Sequence, residues 1–343
     1  MSRSTAVPKT GRPAPPPLDI GSLYELVADD FAAVNALIPR QLTSDVELVE
    51  KISRYIVESG GKRLRPLLVL LSARTLDYTP NQSDPAHVKL ATVIEFLHTA
   101  TLLHDDVVDR SDLRRGRSTA NALWGNASSV LVGDFLYSRA FQLMVELDRL
   151  DIIEVLSDAT NIIAEGEVQQ LDNVGNAELS EADYMAVIRA KTAMLFQAAA
   201  HTGAHLASED EHELALLRDY GLHVGLAYQL VDDWLDYAGD TKTMGKNVGD
   251  DLAEGKATLP LIRTIAEGSR DDAALVRGAI QQCSGERLAE VIRAVERSGA
   301  LDYTKAQAER QAQAAIALLP GLPENRYRDA LAQLAEFAVS RLA

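Results

Sequence analysis

The 343-residue chain has a single cysteine, Cys283, so it holds no internal disulfide framework and no thiolate metal cluster. Aromatic residues are scarce, at 5%. No stretch approaches the ~20 apolar residues that a membrane-spanning helix needs, and the N-terminus lacks the apolar core of a signal peptide. A soluble protein of a reducing, cytoplasmic compartment is therefore the default expectation. Basic charge is short as well: 34 Lys plus Arg stand against 50 Asp plus Glu, a formal net charge of -16. Without a segregated basic patch, such a balance repels nucleic acid, and no nucleic-acid partner is expected. Convincing period-two alternation is missing, and so is any low-complexity linker after residue 20.

What is present favours helices. Hydrophobic residues make up 47% of the chain and charged ones 24%, with Leu and Ala dominant and Gly scattered. Residues 1–20, with Pro8, Pro13, Pro15, Pro16 and Pro17, read as a disordered extension, and 21–343 as one helical domain. Helical periodicity predicts helices near 22–37, 45–58, 63–77, 86–111, 127–147, 151–171, 180–203, 208–238, 256–268, 272–280, 285–298, 302–317 and 325–341. The expected fold class is all-α, one bundle.

Two of these helices are apolar on most of their circumference yet end in acids: Ala91 to Asp109, and Leu226 to Asp236. An all-round apolar helix belongs in a core, so its acids need an explanation. Asp105 and Asp109 are four residues apart and share a helix face, with Asp106 about 100° round from Asp105. Asp232, Asp233 and Asp236 repeat the spacing. A lone cluster of this kind is as often a solvated helix end, whereas two copies behind apolar helices point to one task. Oxygen-only ligands suit a hard cation, and magnesium is commonly held by one or two carboxylates plus substrate phosphates. Asp250-Asp251 and Asp271-Asp272 lack the third aspartate and read as ordinary loop or salt-bridge residues. The exception to the acidic surroundings is Gly60-Gly61-Lys62-Arg63-Leu64-Arg65-Pro66, whose cations offer a seat for a small anion. His201 and His205, one turn apart, lack a third ligand and read as packing or surface residues.

The ordered set Gly60 to Pro66, His98, Asp105-Asp106-Val107-Val108-Asp109, Arg114-Arg115-Gly116, Lys191-Thr192, Gln229, Asp232-Asp233-Trp234-Leu235-Asp236, Gly245-Lys246 and Lys256 resembles the trans-polyprenyl diphosphate synthases. The resemblance spans about residues 20–343. It implies an isoprenoid-synthase-type helical bundle around a deep central cavity, usually a homodimer. It implies isopentenyl diphosphate and an allylic prenyl diphosphate as substrates, Mg2+ as cofactor, and transient membrane contact for product release. By the same resemblance, Asp105, Asp109 and Asp232 are the principal magnesium ligands, with Asp106, Asp233 and Asp236 acting directly or through metal-bound water. Arg114, Lys191, Thr192, Gln229, Lys246 and Lys256 are to hold the allylic diphosphate, and Lys62, Arg65, His98 and Arg115 that of isopentenyl diphosphate. Taken singly, His98 and Thr192 read better as packing residues than as ligands. Tyr228, where the family commonly has Phe, and Trp234 depart from the pattern and are expected to narrow the cavity.

The expected reaction begins with heterolysis of the allylic carbon–oxygen bond, where charge develops on the leaving diphosphate and cations stabilise it directly. No Ser-His-Asp or Cys-His arrangement is needed. Ala100 and Thr101, five and four residues before Asp105, are small where short-chain relatives often carry an aromatic, so a long-chain product for quinone side chains is expected. A bulky residue at Ala100 is expected to shorten it. Phe96, Leu97, Leu131, Phe135 and Phe141 are candidate floor residues. The rival readings are a geranylgeranyl- or farnesyl-length synthase, a terpene cyclase sharing one acidic motif, and a non-catalytic subunit of a heteromeric synthase.

Overall fold

The computed structural model describes residues 20–81, 83, 85–238 and 248–342. The Pro-rich extension expected over 1–20 thus lies outside the described residues except for Ile20. The helices in chain order are α1 (Ile20–Glu25), α2 (Ala28–Gln41), α3 (Glu47–Glu58), α4 (Leu64–Thr75), α5 (Ala86–Val108), α6 (Ala120–Trp124), α7 (Asn126–Glu146), α8 (Leu150–Asp172), α9 (Glu181–Ile188), α10 (Met194–His205) and α11 (Glu211–Ala238). After the undescribed 239–247 follow α12 (Asp250–Ala253), α13 (Leu259–Glu267), α14 (Arg270–Gln281), α15 (Leu288–Arg297), α16 (Ala300–Leu318) and α17 (Arg326–Val339). The all-α expectation holds.

Helices α5 and α11 form the axis. Val88, Leu90, Val93, Ile94, Phe96, Leu97, Ala100 and Leu103 of α5 are buried among α2, α4, α7 and α10. Helix α11 buries Leu214, Leu217, Tyr220, Val224, Leu230 and Val231 against α10, α16 and α17. One large core links α2, α4, α5, α7, α8, α10 and the first half of α11, while smaller clusters pack α12–α16 beside the second half of α11. Both acidic motifs therefore sit where an apolar helix emerges from the core.

Three local features depart from the sequence pattern. The helix expected over 22–37 is two helices, broken after Glu25. The one expected over 180–203 contains a π-helical turn, Arg189–Ala193, between α9 and α10. Such wide turns occur often at functional sites, and this one carries Lys191 and Thr192. A short antiparallel hairpin pairs Leu113 with Ser118 and Arg114 with Arg117. Its turn residues, Arg115 and Gly116, both have positive φ, the geometry of a two-residue hairpin whose twist matches its strands. Strands of two residues are too short to leave an alternation in sequence.

The N-terminal helices are tied on by charge. Asp30 of α2 accepts hydrogen bonds from Arg74 of α4 at 2.6 Å and from His87 of α5 at 3.0 Å. Burial opposes ionisation of Asp30, but the bonds from His87 and Arg74 outweigh it and hold the carboxyl below its ordinary value. A depressed carboxylate contributes stability above its unfolded pKa and loses it as pH falls through the folded value. Asp30→Ala is expected to lower stability by roughly 2–3 kcal/mol at neutral pH, with the deficit shrinking under acid. Urea unfolding at two pH values checks this, and an equal deficit at both would contradict it.

Candidate active site

Between the ends of α5 and α11 lies a cavity of about 850 Å³. Asp105 and Asp109 from α5 and Asp232, Asp233 and Asp236 from α11 all line it. Asp106 does not reach it: its side chain is fully buried and takes Arg114 Nε and Nη2 on Oδ1 at 2.7 Å. Burial raises its carboxyl even so, with Arg114 opposing. Asp109 caps the C-terminus of α5, and its backbone N–H bonds Asp105 O at 2.8 Å.

Each acidic row is met by cations from other elements. Lys256 Nζ lies 2.9 Å from Asp109 and 2.6 Å from Glu254. Burial alone would lower its ammonium pKa, yet Asp109, Glu254 and Asp251 raise it. Lys191, swung inward by the π turn, lies 2.6 Å from Glu167 of α8 and 3.7 Å from Asp105. Arg341, just beyond α17, bonds Asp232 at 2.8 Å and stacks 4.5 Å from the Tyr228 ring centroid. Asp233 is buried and accepts hydrogen bonds from Tyr184 and, at 2.8 Å, from Gln229, which itself accepts one from Thr192 at 2.8 Å. Burial, then the charge of Asp251, pushes the Asp233 carboxyl well above the ordinary range. Thr192 and Gln229 thus orient the second acidic row.

A second group of cations gathers at another part of the same cavity: Lys62, Arg63, Arg65 and Arg115, with His98 and Glu95 beside them. Burial pulls the Arg65 guanidinium down to about 10, so it stays charged at neutral pH. Gly61 admits Arg115, since a Cβ there would stand 2.5 Å from its Nη1, and the glycine's φ of +141° is one that L side chains rarely adopt. Arg63 pairs with Glu95 at 3.7 Å. Burial, reinforced by Arg65, Arg115 and Arg114, holds His98 well below its ordinary value and therefore neutral.

The apolar part of the lining includes Leu102, Ile163, Ile188, Leu195 and Phe196. Thr101 borders the cavity, but Ala100 does not. Ala100 is fully buried in the core, about 140° round α5 from Asp105, whereas Thr101 is about 40° away. Of the two small residues read as admitting a long product, only Thr101, four residues back, borders the cavity. Phe96, Leu97, Leu131, Phe135 and Phe141 are likewise not among the lining residues. Tyr228 lines the cavity and Trp234 does not, so only the first can narrow it.

A family model, polyprenyl synthetase, matches residues 46–296, across both acidic motifs and every cavity cation named above except Arg341. The chain belongs to the polyprenyl synthetase family. It is 51% identical to the octaprenyl diphosphate synthase of Escherichia coli (strain K12) over 325 residues, covering 94% of this chain and 99% of that one. Among solved structures, a polyprenyl synthase from Caulobacter crescentus CB15 complexed with calcium and isoprenyl diphosphate superposes with a TM-score of 0.91. It is 46% identical, over 96% of this chain and all 100% of that one. A decaprenyl diphosphate synthase from Rhodobacter capsulatus gives 0.89 at 41% identity, over 95% and 100%. This polyprenyl synthetase is accordingly a prenyltransferase with the all-α isoprenoid synthase fold.

Several cavity residues of this synthetase carry no signal in sequence. Glu95 is a single acid inside an apolar stretch, Glu167 and Tyr184 sit among other polar residues of their helices, and Arg341 lies far along the chain from the acid it meets. Asp251, read as an ordinary loop residue, lines the cavity. Lys246 lies outside the described residues. Asp272 does pair ordinarily, with Arg297, and His205 bonds Asp151 at 3.1 Å. The buried environment of His98 predicts that its imidazole stays neutral as pH falls through the ordinary 6.5. An NMR titration of the ring checks this, and protonation near that value would contradict it.

Proposed function

We propose that the chain condenses isopentenyl diphosphate repeatedly onto an allylic diphosphate to give an all-trans product of octaprenyl to decaprenyl length, for quinone side chains. The observation that carries this reading is one cavity lined by aspartates of both acidic motifs, by cations from several elements and by apolar side chains. Octaprenyl and decaprenyl diphosphate synthases, similar along nearly the whole chain, support the long product.

The oxygen-only donors fit magnesium. Asp105, Asp109, Asp232, Asp233 and Asp236 all line the one cavity. Such a set suits an ion completed by diphosphate oxygens. Asp105, Asp109 and Asp232 would be its main ligands, while Asp106, already engaged by Arg114, acts from behind. When bound, magnesium supplies positive charge against the leaving diphosphate. Lys191, Lys256 and Arg114 hold that diphosphate, with Lys246 added by resemblance, while Thr192 and Gln229 fix the carboxylate beside it. Lys62, Arg65 and Arg115 hold the second diphosphate, and neutral His98 offers one further ring nitrogen. Leu102, Ile163, Leu195 and Phe196 keep water from the allylic cation.

We further propose a cytoplasmic homodimer that touches a membrane only as product leaves. Leu131 and Val145 of α7, and Val168 and Leu171 of α8, are 58–70% exposed, apolar side chains that a second copy would cover. No described helix is long and apolar enough to cross a membrane.

Purified protein given magnesium, farnesyl diphosphate and labelled isopentenyl diphosphate is expected to build products of about eight to ten units, a length the roughly 1.5 Å per residue of helices α5 and α11 can flank. A stop at four units would overturn the long-chain reading, and no incorporation would favour a non-catalytic subunit. Asp105→Ala is expected to lower turnover by roughly 10²–10³ or more, whereas retained activity would remove it as a principal ligand. Thr101→Phe is expected to shorten the product with turnover retained, measured by chromatography of dephosphorylated chains. An unchanged length would show that this residue does not border the growing chain.

A further inference from the structure

Both lysines that face the first acidic row are shared in the same way. Lys191 Nζ sits 2.6 Å from Glu167 and 3.7 Å from Asp105; Lys256 Nζ sits 2.6 Å from Glu254 and 2.9 Å from Asp109. Each therefore grips one aspartate of the motif and, more closely, one glutamate outside it. The glutamates come from unrelated parts of the fold, α8 and the segment after α12. All six side chains are largely buried, at 13–27% exposure.

A half-buried ammonium group needs an anionic partner, and removing one leaves it to pair with whatever acid remains. Here the remaining acids are Asp105 for Lys191, and Asp109 with the more distant charge of Asp251 for Lys256. A lysine fully committed to Asp105 or Asp109 competes with a cation for the same oxygens. With its glutamate in place, the lysine retains a partner when the aspartate turns to a metal, and it stays beside the position of the diphosphate. In the second cation group, among the described residues, Arg63 pairs more loosely, with Glu95 at 3.7 Å.

We propose that Glu167 and Glu254 are positioning residues that hold Lys191 and Lys256 in reserve, keeping Asp105 and Asp109 open to the metal ion before substrate arrives. The proposal rests on the reading of those aspartates as metal ligands. Glycine 166, next to Glu167, brings α8 hard against the lysine-bearing turn, since a Cβ there would stand 2.7 Å from Ala190 Cβ and 3.0 Å from Lys191 N. The glutamate–lysine distance is thus set by backbone packing rather than by side-chain reach alone.

The test is uptake of Mn2+ by the full-length, substrate-free protein, followed by loss of the free-ion electron paramagnetic resonance signal. Glu167→Gln and Glu254→Gln are each expected to weaken uptake roughly tenfold, the size of coupling common between contacting charges. In a Lys191→Met background, Glu167→Gln is expected to leave uptake unchanged, because the competing ammonium is gone. An equal weakening in both backgrounds would mean that the glutamate acts only through its charge, and would overturn the proposal, as would no weakening in the single variants. Asp105→Ala separates the two readings. Uptake undiminished in that variant overturns the aspartate assignment and the proposal with it, whereas uptake lost there but unchanged in Glu167→Gln overturns the proposal alone. Absence of uptake by the unaltered protein overturns the proposal, which concerns the cavity before substrate.

Discussion

Carboxylates gathered at the mouth of an apolar core repel one another and lose their hydration, and the cavity's architecture answers that repulsion. The π turn brings in Lys191, the segment after α12 brings in Lys256, the hairpin brings in Arg114, and the end of α17 brings in Arg341. Each comes from a different part of the chain, so the acids are neutralised only when the whole bundle has closed. Partly buried pairs of this kind add little net stability, because desolvation offsets their attraction. Their value lies in arranging charge that a diphosphate and a cation can exchange into.

The two groups of cations differ in kind. Those beside the acidic rows are paired, so binding there is an exchange of partners. Those around Arg65 and Arg115 are cations crowded together beside Glu95 and a neutral His98, so an incoming anion relieves mutual repulsion. Exchange permits a leaving group to form and depart, while relief of repulsion holds a reactant in place. On the proposed reading, one cavity would thereby treat two diphosphates differently, as a condensation between their prenyl chains requires.

The acid-bearing segments were legible because Ala91–Asp109 along α5 and Leu226–Asp236 along α11 are apolar on most of their circumference, a pattern that buried helices leave and surface helices do not. The spacing of Asp105, Asp106 and Asp109 was legible too, but not that Asp106 turns inward to Arg114, since that depends on a hairpin too short to show in sequence. The π turn was hidden because one extra residue in a helical turn barely disturbs apolar periodicity. Glu95, Glu167 and Arg341 were invisible for a simpler reason: a lone charge acquires meaning only from what the fold places opposite it. Ala100 shows how finely helix geometry decides, for one residue's difference from Thr101 carries a side chain from the cavity to the core.

The central claim is that the two aspartate rows act together on one metal-bridged diphosphate. Anomalous diffraction from crystals grown with Mn2+ and inorganic diphosphate tests it most directly. The account predicts manganese between the wall of Asp105 and Asp109 and the wall of Asp232, with diphosphate oxygens completing the coordination. Manganese bound to one row only, with diphosphate seated elsewhere, would contradict it.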